Sequence, residues 1–145
     1  MKKIVVDTHV GSYGVIIRDR KIALIKKARG GYKGLYDLPG GGIEHDETPL
    51  EALTRELMEE IGVKVVSERI LTAVSKTFQW DVNDELIQDL HHIGILYRVE
   101  IENDKLKVSA DGLDSLGGEW KDIDKVKEED VSPFTWMALK KLGYK

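Results

Sequence analysis

The chain has 145 residues, enough for one domain with its own core, and its 41% hydrophobic and 33% charged content excludes a disordered, low-hydrophobicity polymer. Cysteine is absent, so disulfides and thiolate metal sites are excluded and a reducing, cytoplasmic compartment is expected. With 22 basic against 26 acidic residues the net charge is −4, and the dispersed basic residues give no global field for nucleic acid, so a polyanion would have to meet local cations or a metal.

The opening MKKIVVDTHVGSYGVII is broken by Asp7, His9 and Gly11, which predicts neither a signal-peptide core nor a membrane span. GSYGVIIRDRKIALIKKA reads as two apolar strands joined at Arg18-Asp19-Arg20, a hairpin without the favoured Asn-Gly turn. The glycine-dense RGGYKGLYDLPGGG predicts a loop. From Thr48 to Ile61 the period becomes helical, with Leu50, Leu53, Leu57 and Ile61 as the apolar stripe. Thr48 is the expected N-cap, Pro49 the first helical residue, Glu51 the partner in a T-x-x-E capping box and Gly62 the terminating glycine. Two β-like segments follow, about 64–80 and 89–102, separated by polar DVNDELIQD. VSPFTWMALKKLG reads as a closing helix with Ser132 as N-cap, Pro133 at its first position and Gly143 beyond its end. No repeat or linker interrupts the chain, so a mixed sheet with helices packed on it, one domain over 1–145, is expected.

The first helix raises a question of charge. Glu56, Glu59 and Glu60 fall together on the side expected to lie opposite the apolar stripe, and like charges at i, i+3 and i+4 cost a few tenths of a kcal/mol each. A solvated acidic face is the ordinary explanation; a hard divalent cation such as Mg²⁺, which takes oxygen ligands, is the other and would offset the repulsion. Arg55, four residues after Glu51 and four before Glu59, can bridge charges along the helix.

The surrounding residues favour the metal. Gly41, Glu47, Arg55, Glu56, Leu57, Glu59, Glu60, Gly62 and Val63 spell G-x5-E-x7-R-E-U-x-E-E-x-G-U, where U is aliphatic. This resembles the Nudix box in full, and the likeness to MutT-like Nudix hydrolases extends to YDLPGG before the box and to Gly118-Glu119-Trp120 ahead of the last helix. The resemblance implies an α/β fold, a mixed α+β sheet within an α/β/α sandwich. It implies Glu56, Glu59, Glu60 and the Gly40 carbonyl as ligands of Mg²⁺, with Mn²⁺ as an alternative. Glu47 and Arg55 match residues that orient the site, while Leu57 and Val63 match packing positions. The implied reaction is hydrolysis of the diphosphate linkage of a nucleoside diphosphate joined to another group. The general base is either Glu56 or an acid of the later loop, where Asp111, Asp114 and Glu119 are candidates and Asp114 is the first choice.

Substrate identity is less legible. Lys26, Lys27, Arg29 and Lys33 lead into the box and could meet phosphates, with Lys27 and Arg29 preferred; as surface charges they would serve solubility alone. Phe78 and Trp80 end a predicted strand and could stack on a base, Phe78 first, or belong to the core. His91-His92 reads as a strand pair, since no third His or Cys stands at ligand spacing. The family's markers for ADP-ribose, diadenosine polyphosphate, coenzyme A and NADH substrates are missing: position 79 is Gln rather than Pro, no Tyr follows the box at the expected distance, and SPFTW lacks an asparagine for reading oxidised guanine. A small nucleoside polyphosphate is the expected partner, with no membrane, with a 5′-triphosphate RNA end as the one nucleic acid in view and with a homodimer left open. The alternative function is a nucleotide-binding sensor that does not turn its ligand over. A Nudix-fold isomerase is disfavoured because it would need a catalytic cysteine.

Overall fold

The computed structural model describes residues 1–107 and 115–145, with side chains described for all of these except 115 and 116. Eight strands and two helices follow one another among them: β1 (Lys3–Val15), β2 (Ile17–Arg18), β3 (Lys21–Lys27), β4 (Tyr36–Asp37), β5 (Gly40–Gly42), α1 (Pro49–Ile61), β6 (Val65–Asp81), β7 (Leu86–Ile101), β8 (Ser115–Asp122) and α2 (Pro133–Lys141). One sheet has the order β5-β1-β7-β6 and is mixed: β1 runs parallel to β7, whereas β1–β5 and β6–β7 are antiparallel. The second sheet is antiparallel, with β3 between β2, β4 and β8.

Alternation along the strands builds two core layers. On β3, Ile22 and Leu24 join Phe134, Ala138 and Leu139 of α2, while Ala23 and Ile25 join Leu53, Leu57 and Ile61 of α1. The sheets therefore lie between the two helices, the sandwich that the resemblance implies. Gly14 admits Leu57, whose methyl carbons would lie 3.2 and 3.4 Å from a Cβ there, and Gly94 admits the ring of Phe134 in the same way. No helix among the described residues is long and apolar enough to cross a membrane.

The predicted hairpin closes through a primed turn, since Asp19 and Arg20 both hold positive φ (51° and 60°) and Arg18 pairs with Lys21. On α1, Thr48 accepts from the Glu51 amide, Glu51 accepts from the Thr48 amide, and Gly62 ends the helix in the left-handed region at φ 67°. α2 starts from Ser132 as expected. The glycine-dense stretch expected to be loop carries two short strands, β4 and β5, and β7 begins three residues earlier than the sequence predicts, at Leu86.

The helix stripe needs two corrections. Leu50 is 38% exposed because it sits in the first turn, at the margin of the core, and Ala52 is buried instead. Glu60 does not lie opposite the stripe with Glu56 and Glu59: it is 3% exposed. Seven residues advance an α-helix by almost two full turns, which brings Glu60 to the azimuth of Leu53.

Candidate active site

Strand register arranges a cleft of about 1100 Å³ between α1, β5, the β3–β4 loop and one face of β1, β6 and β7. The registers Asp7↔Leu90↔Phe78 and His9↔His92↔Lys76 place these side chains in rows across three strands. Period-two alternation adds Gln88 and Trp80 to the same face, and the face forms one wall of the cleft. Trp80 Nε1 donates to Gln88 Oε1 (2.7 Å) and Gln88 Nε2 donates to Asp7 Oδ2 (3.1 Å), so this polar row is fixed from end to end.

α1 and β5 bring Glu56, Glu59 and Glu60 together with Gly40 and Gly41 to the cleft. The Gly40 amide donates to Glu60 Oε1 at 2.8 Å, which satisfies a carboxylate that is otherwise buried. A Cβ on Gly41 would meet the Glu56 carboxylate oxygens at 2.8 Å, so glycine there lets that carboxylate lie against the backbone. Gly40 holds φ 142°, a conformation that side-chain-bearing residues rarely adopt. Glu59 remains 62% exposed at the mouth. Among the described residues no three His, Asp or Glu side chains already stand as a metal-holding group: Glu56 is drawn to Arg55 Nη1 (2.8 Å) and Glu60 to the Gly40 amide.

Arg55 and Glu47 fasten the acidic cluster. Arg55 Nε and Nη2 donate to Glu47 Oε2 and Oε1 at 2.8 and 2.9 Å, and Nη2 also reaches the Gly42 carbonyl at 3.1 Å. These hydrogen bonds, with one from the Glu44 amide, pull the Glu47 carboxyl down to about 2. Glu47 in turn holds the Arg55 guanidinium above its ordinary value.

Lys27, Arg29 and Lys33 all line the cleft, whereas Lys26 lies over the Tyr36 ring, as alternation along β3 requires. Phe78 lines it too, stacked on Tyr32 with centroids 5.0 Å apart. Trp80, open between stacking and core, is also in the wall. Glu119 is not among the lining residues: it accepts from Tyr36 Oη (3.3 Å) and pairs with Lys121 (3.2 Å). Asp111 and Asp114 lie outside the described residues.

Sequence reasoning missed the polar cluster at the cleft floor. His92 is hydrogen-bonded to Tyr13 Oη at Nε2 (2.7 Å) and to Tyr32 Oη at Nδ1 (3.1 Å), one ring nitrogen of the neutral imidazole donating and the other accepting, and it stacks on Phe134 at 4.4 Å. Burial first, then the nearby His9 and Lys27, lowers the imidazole to about 4, and burial pushes both phenols above their usual range. Alternation within LIQDLHHIGIL could have put Gln88, Leu90 and His92 on one face; nothing local in the sequence could have aligned them with Asp7 and His9.

This geometry has close counterparts. The NUDIX domain family model matches residues 8–142. An ADP-ribose pyrophosphatase of Methanocaldococcus jannaschii is 32% identical over 102 residues, which are 70% of this chain and 56% of that protein. An 8-oxo-dGTP diphosphatase of Proteus vulgaris is 47% identical over 45 residues, 31% of this chain and 40% of that protein. The chain thus spans about half, or less, of the length of the curated relatives it matches. The crystal structure of a MutT NUDIX hydrolase from Burkholderia pseudomallei aligns with a TM-score of 0.75 at 26% identity, covering 94% of this chain and 98% of that one. With the family model spanning nearly the whole chain and the complete box folded around one cleft, this chain belongs to the NUDIX domain family.

Proposed function

We propose that this protein is a divalent-metal-dependent hydrolase of the diphosphate linkage in a nucleoside diphosphate joined to another group, and that residues 1–145 act as one domain. One observation carries the reading. A single cleft is lined by the α1 carboxylates and close-packed glycines, by Lys27, Arg29 and Lys33, and by Tyr32, Phe78 and Trp80. A nucleoside polyphosphate presents the matching set of parts: a charged linkage that needs a cation, further phosphate oxygens and a flat ring that stacks on aromatic faces. The names of the relatives, a pyrophosphatase and a diphosphatase, point to the same bond.

The donor set suits a hard cation. Glu56 and Glu60 approach the Gly40–Gly41 backbone from α1, and exposed Glu59 can turn in from the next position. Together with the Gly40 carbonyl they would hold Mg²⁺, or Mn²⁺ in its place. Such an ion, when bound, neutralises charge on the diphosphate and acidifies water. Arg55 orients the Glu56 carboxylate through Nη1 and is itself anchored by Glu47. In this reading Glu56 takes the proton of the attacking water, with Asp114 as the alternative base. Lys27 and Arg29 grip the phosphates, and Phe78 stacks on the base.

The test is a screen of the purified protein with Mg²⁺ or Mn²⁺ against dNTPs, oxidised dGTP, ADP-ribose, nucleotide sugars, dinucleoside polyphosphates and 5′-triphosphate RNA, scoring phosphate and pyrophosphate separately. Cleavage within a diphosphate linkage, abolished by chelator, is expected. Tight nucleotide binding with no turnover at saturating metal would overturn the enzyme reading in favour of a sensor.

A further inference from the structure

β1 leaves one of its edges open. Gly11–Tyr13 pair with β5 and the Val10 carbonyl accepts from the Ile43 amide, but from Lys3 to His9 the strand pairs only with β7, on its other edge. No strand among the described residues lies along the free edge. A long unpaired edge is a template for another strand unless charge, proline or a bulge blunts it. This one carries no proline, and its middle is Ile4, Val5 and Val6, which are 53%, 40% and 77% exposed. Three adjacent β-branched residues this open are costly in a subunit that stays alone.

We propose that the Lys3–Asp7 edge pairs antiparallel with the same edge of a second copy, about a two-fold axis through Val5. Symmetry and charge select this register. Opposed residues in an antiparallel pair share a sheet face, so a two-fold pairing must oppose odd with odd and even with even positions. Centred on Val5, it sets Lys3 opposite the partner's Asp7, Ile4 opposite the partner's Val6 and Val5 opposite itself. A shift to Val6 would oppose Val5 with Asp7 and Lys3 with His9; a shift to Ile4 would oppose Lys2 with Val6 and Lys3 with Val5. Only the Val5 register matches opposite charges and apolar pairs at every position. The Asp7 carboxylate accepts from the Thr8 amide (2.9 Å) and Gln88 Nε2 (3.1 Å), which leaves acceptor capacity for a lysine. The joined sheet carries both clefts on one face, because Val5, Asp7 and His9 lie on the cleft side in each copy.

The mass of the intact protein in solution, followed by analytical ultracentrifugation over a concentration series, tests this without reference to turnover. The wild type sediments as a dimer. Val6→Lys, a change at an exposed position, raises the dimer dissociation constant at least about tenfold while the far-UV spectrum and melting temperature stay those of the wild type. Lys3→Asp weakens the dimer, because two carboxylates then face each other twice, and the double variant Lys3→Asp/Asp7→Lys restores it. A wild-type monomer at all concentrations, a dimer indifferent to Val6→Lys, or mass that grows without limit would each overturn the proposal. Failure of the charge swap to restore the dimer would overturn the register.

Discussion

Arg55 and Glu47 are locked in a two-point ion pair, Nε to Oε2 at 2.8 Å and Nη2 to Oε1 at 2.9 Å, across the junction where the glycine strand β5 gives way to α1. The same guanidinium reaches the Gly42 carbonyl and Glu56, so one planar group ties the loop, the helix start and a catalytic candidate together. Lysine cannot reproduce this fork. Arg55→Lys is therefore expected to lower turnover more than it lowers melting temperature, with steady-state kinetics and calorimetry as the paired measurements. Equal activity in the variant would remove Arg55 from its orienting role.

Acid stability gives a second expectation from the same pair. The Glu47 carboxyl stands at 4.5 in the unfolded chain and is held down to about 2 by Arg55, then by the Glu44 amide. A depressed carboxylate contributes stability that is fully present above the unfolded value and is lost as pH falls through the folded one. Denaturant titrations of the wild type should thus show stability declining from about pH 4.5 toward pH 2, and Glu47→Gln should flatten that decline. An unchanged slope in the variant would place the acid sensitivity elsewhere.

How much of this was legible from the residues depends on distance along the chain. The caps of α1 and α2 and the hairpin are local events, and Thr48, Glu51, Gly62 and Ser132 announced them through hydrogen bonds spanning three or four residues. The box named Glu47, Arg55, Glu56, Glu59 and Glu60 because a fixed spacing carried them. The inward azimuth of Glu60 was there to be read from the helical period that aligns it with Leu53; its partner, the Gly40 amide 20 residues away, was not. The His92 cluster joins residues 60 and 79 positions apart through a parallel register, which no local pattern encodes. Lys26 and Lys27 were indistinguishable by composition, and strand alternation separated them.

The packing of α1 makes a third prediction. Leu57 is fully buried and its methyls lie against Gly14 and the Val99 layer. Leu57→Ala removes those contacts and leaves a cavity beneath the helix, so a loss of roughly 2 to 5 kcal/mol is expected in urea titration. A loss below about 0.5 kcal/mol would mean that the helix is turned otherwise.

His92 offers a pH readout inside the cleft. Its imidazole stands near 4 in the fold against 6.5 when free, chiefly through burial, so between those values the unfolded chain takes up a proton that the folded one refuses. That difference erodes stability as pH falls from about 6.5 toward 4. NMR of the imidazole carbons should show His92 neutral at pH 6. An apparent value near 6.5 would mean that the Tyr13 and Tyr32 hydroxyls face water rather than the ring nitrogens.

Gly41 permits the sharpest separation of chemistry from scaffold. Its backbone is not in the left-handed region, so alanine brings no conformational strain there. The added methyl would instead press on the Glu56 carboxylate, with its carbon at 2.7 Å and both oxygens at 2.8 Å. Either the carboxylate swings away or β5 retreats from α1, and in both cases Glu56 loses its place against the Gly41 backbone. Gly41→Ala should therefore cut metal-dependent hydrolysis at least about tenfold, the scale of a misplaced catalytic group, and weaken Mn²⁺ binding measured directly by paramagnetic relaxation. Glu59→Gln, at an exposed position whose contact with Arg55 Nη1 is long (3.4 Å) and whose helix neighbours Glu56 and Glu60 are like-charged, should lose activity with melting temperature little changed, which serves as the comparison. If Gly41→Ala binds Mn²⁺ and turns over as the wild type does, Glu56 is neither ligand nor base at this position, and the later-loop acid Asp114 takes its place as the base to be tested.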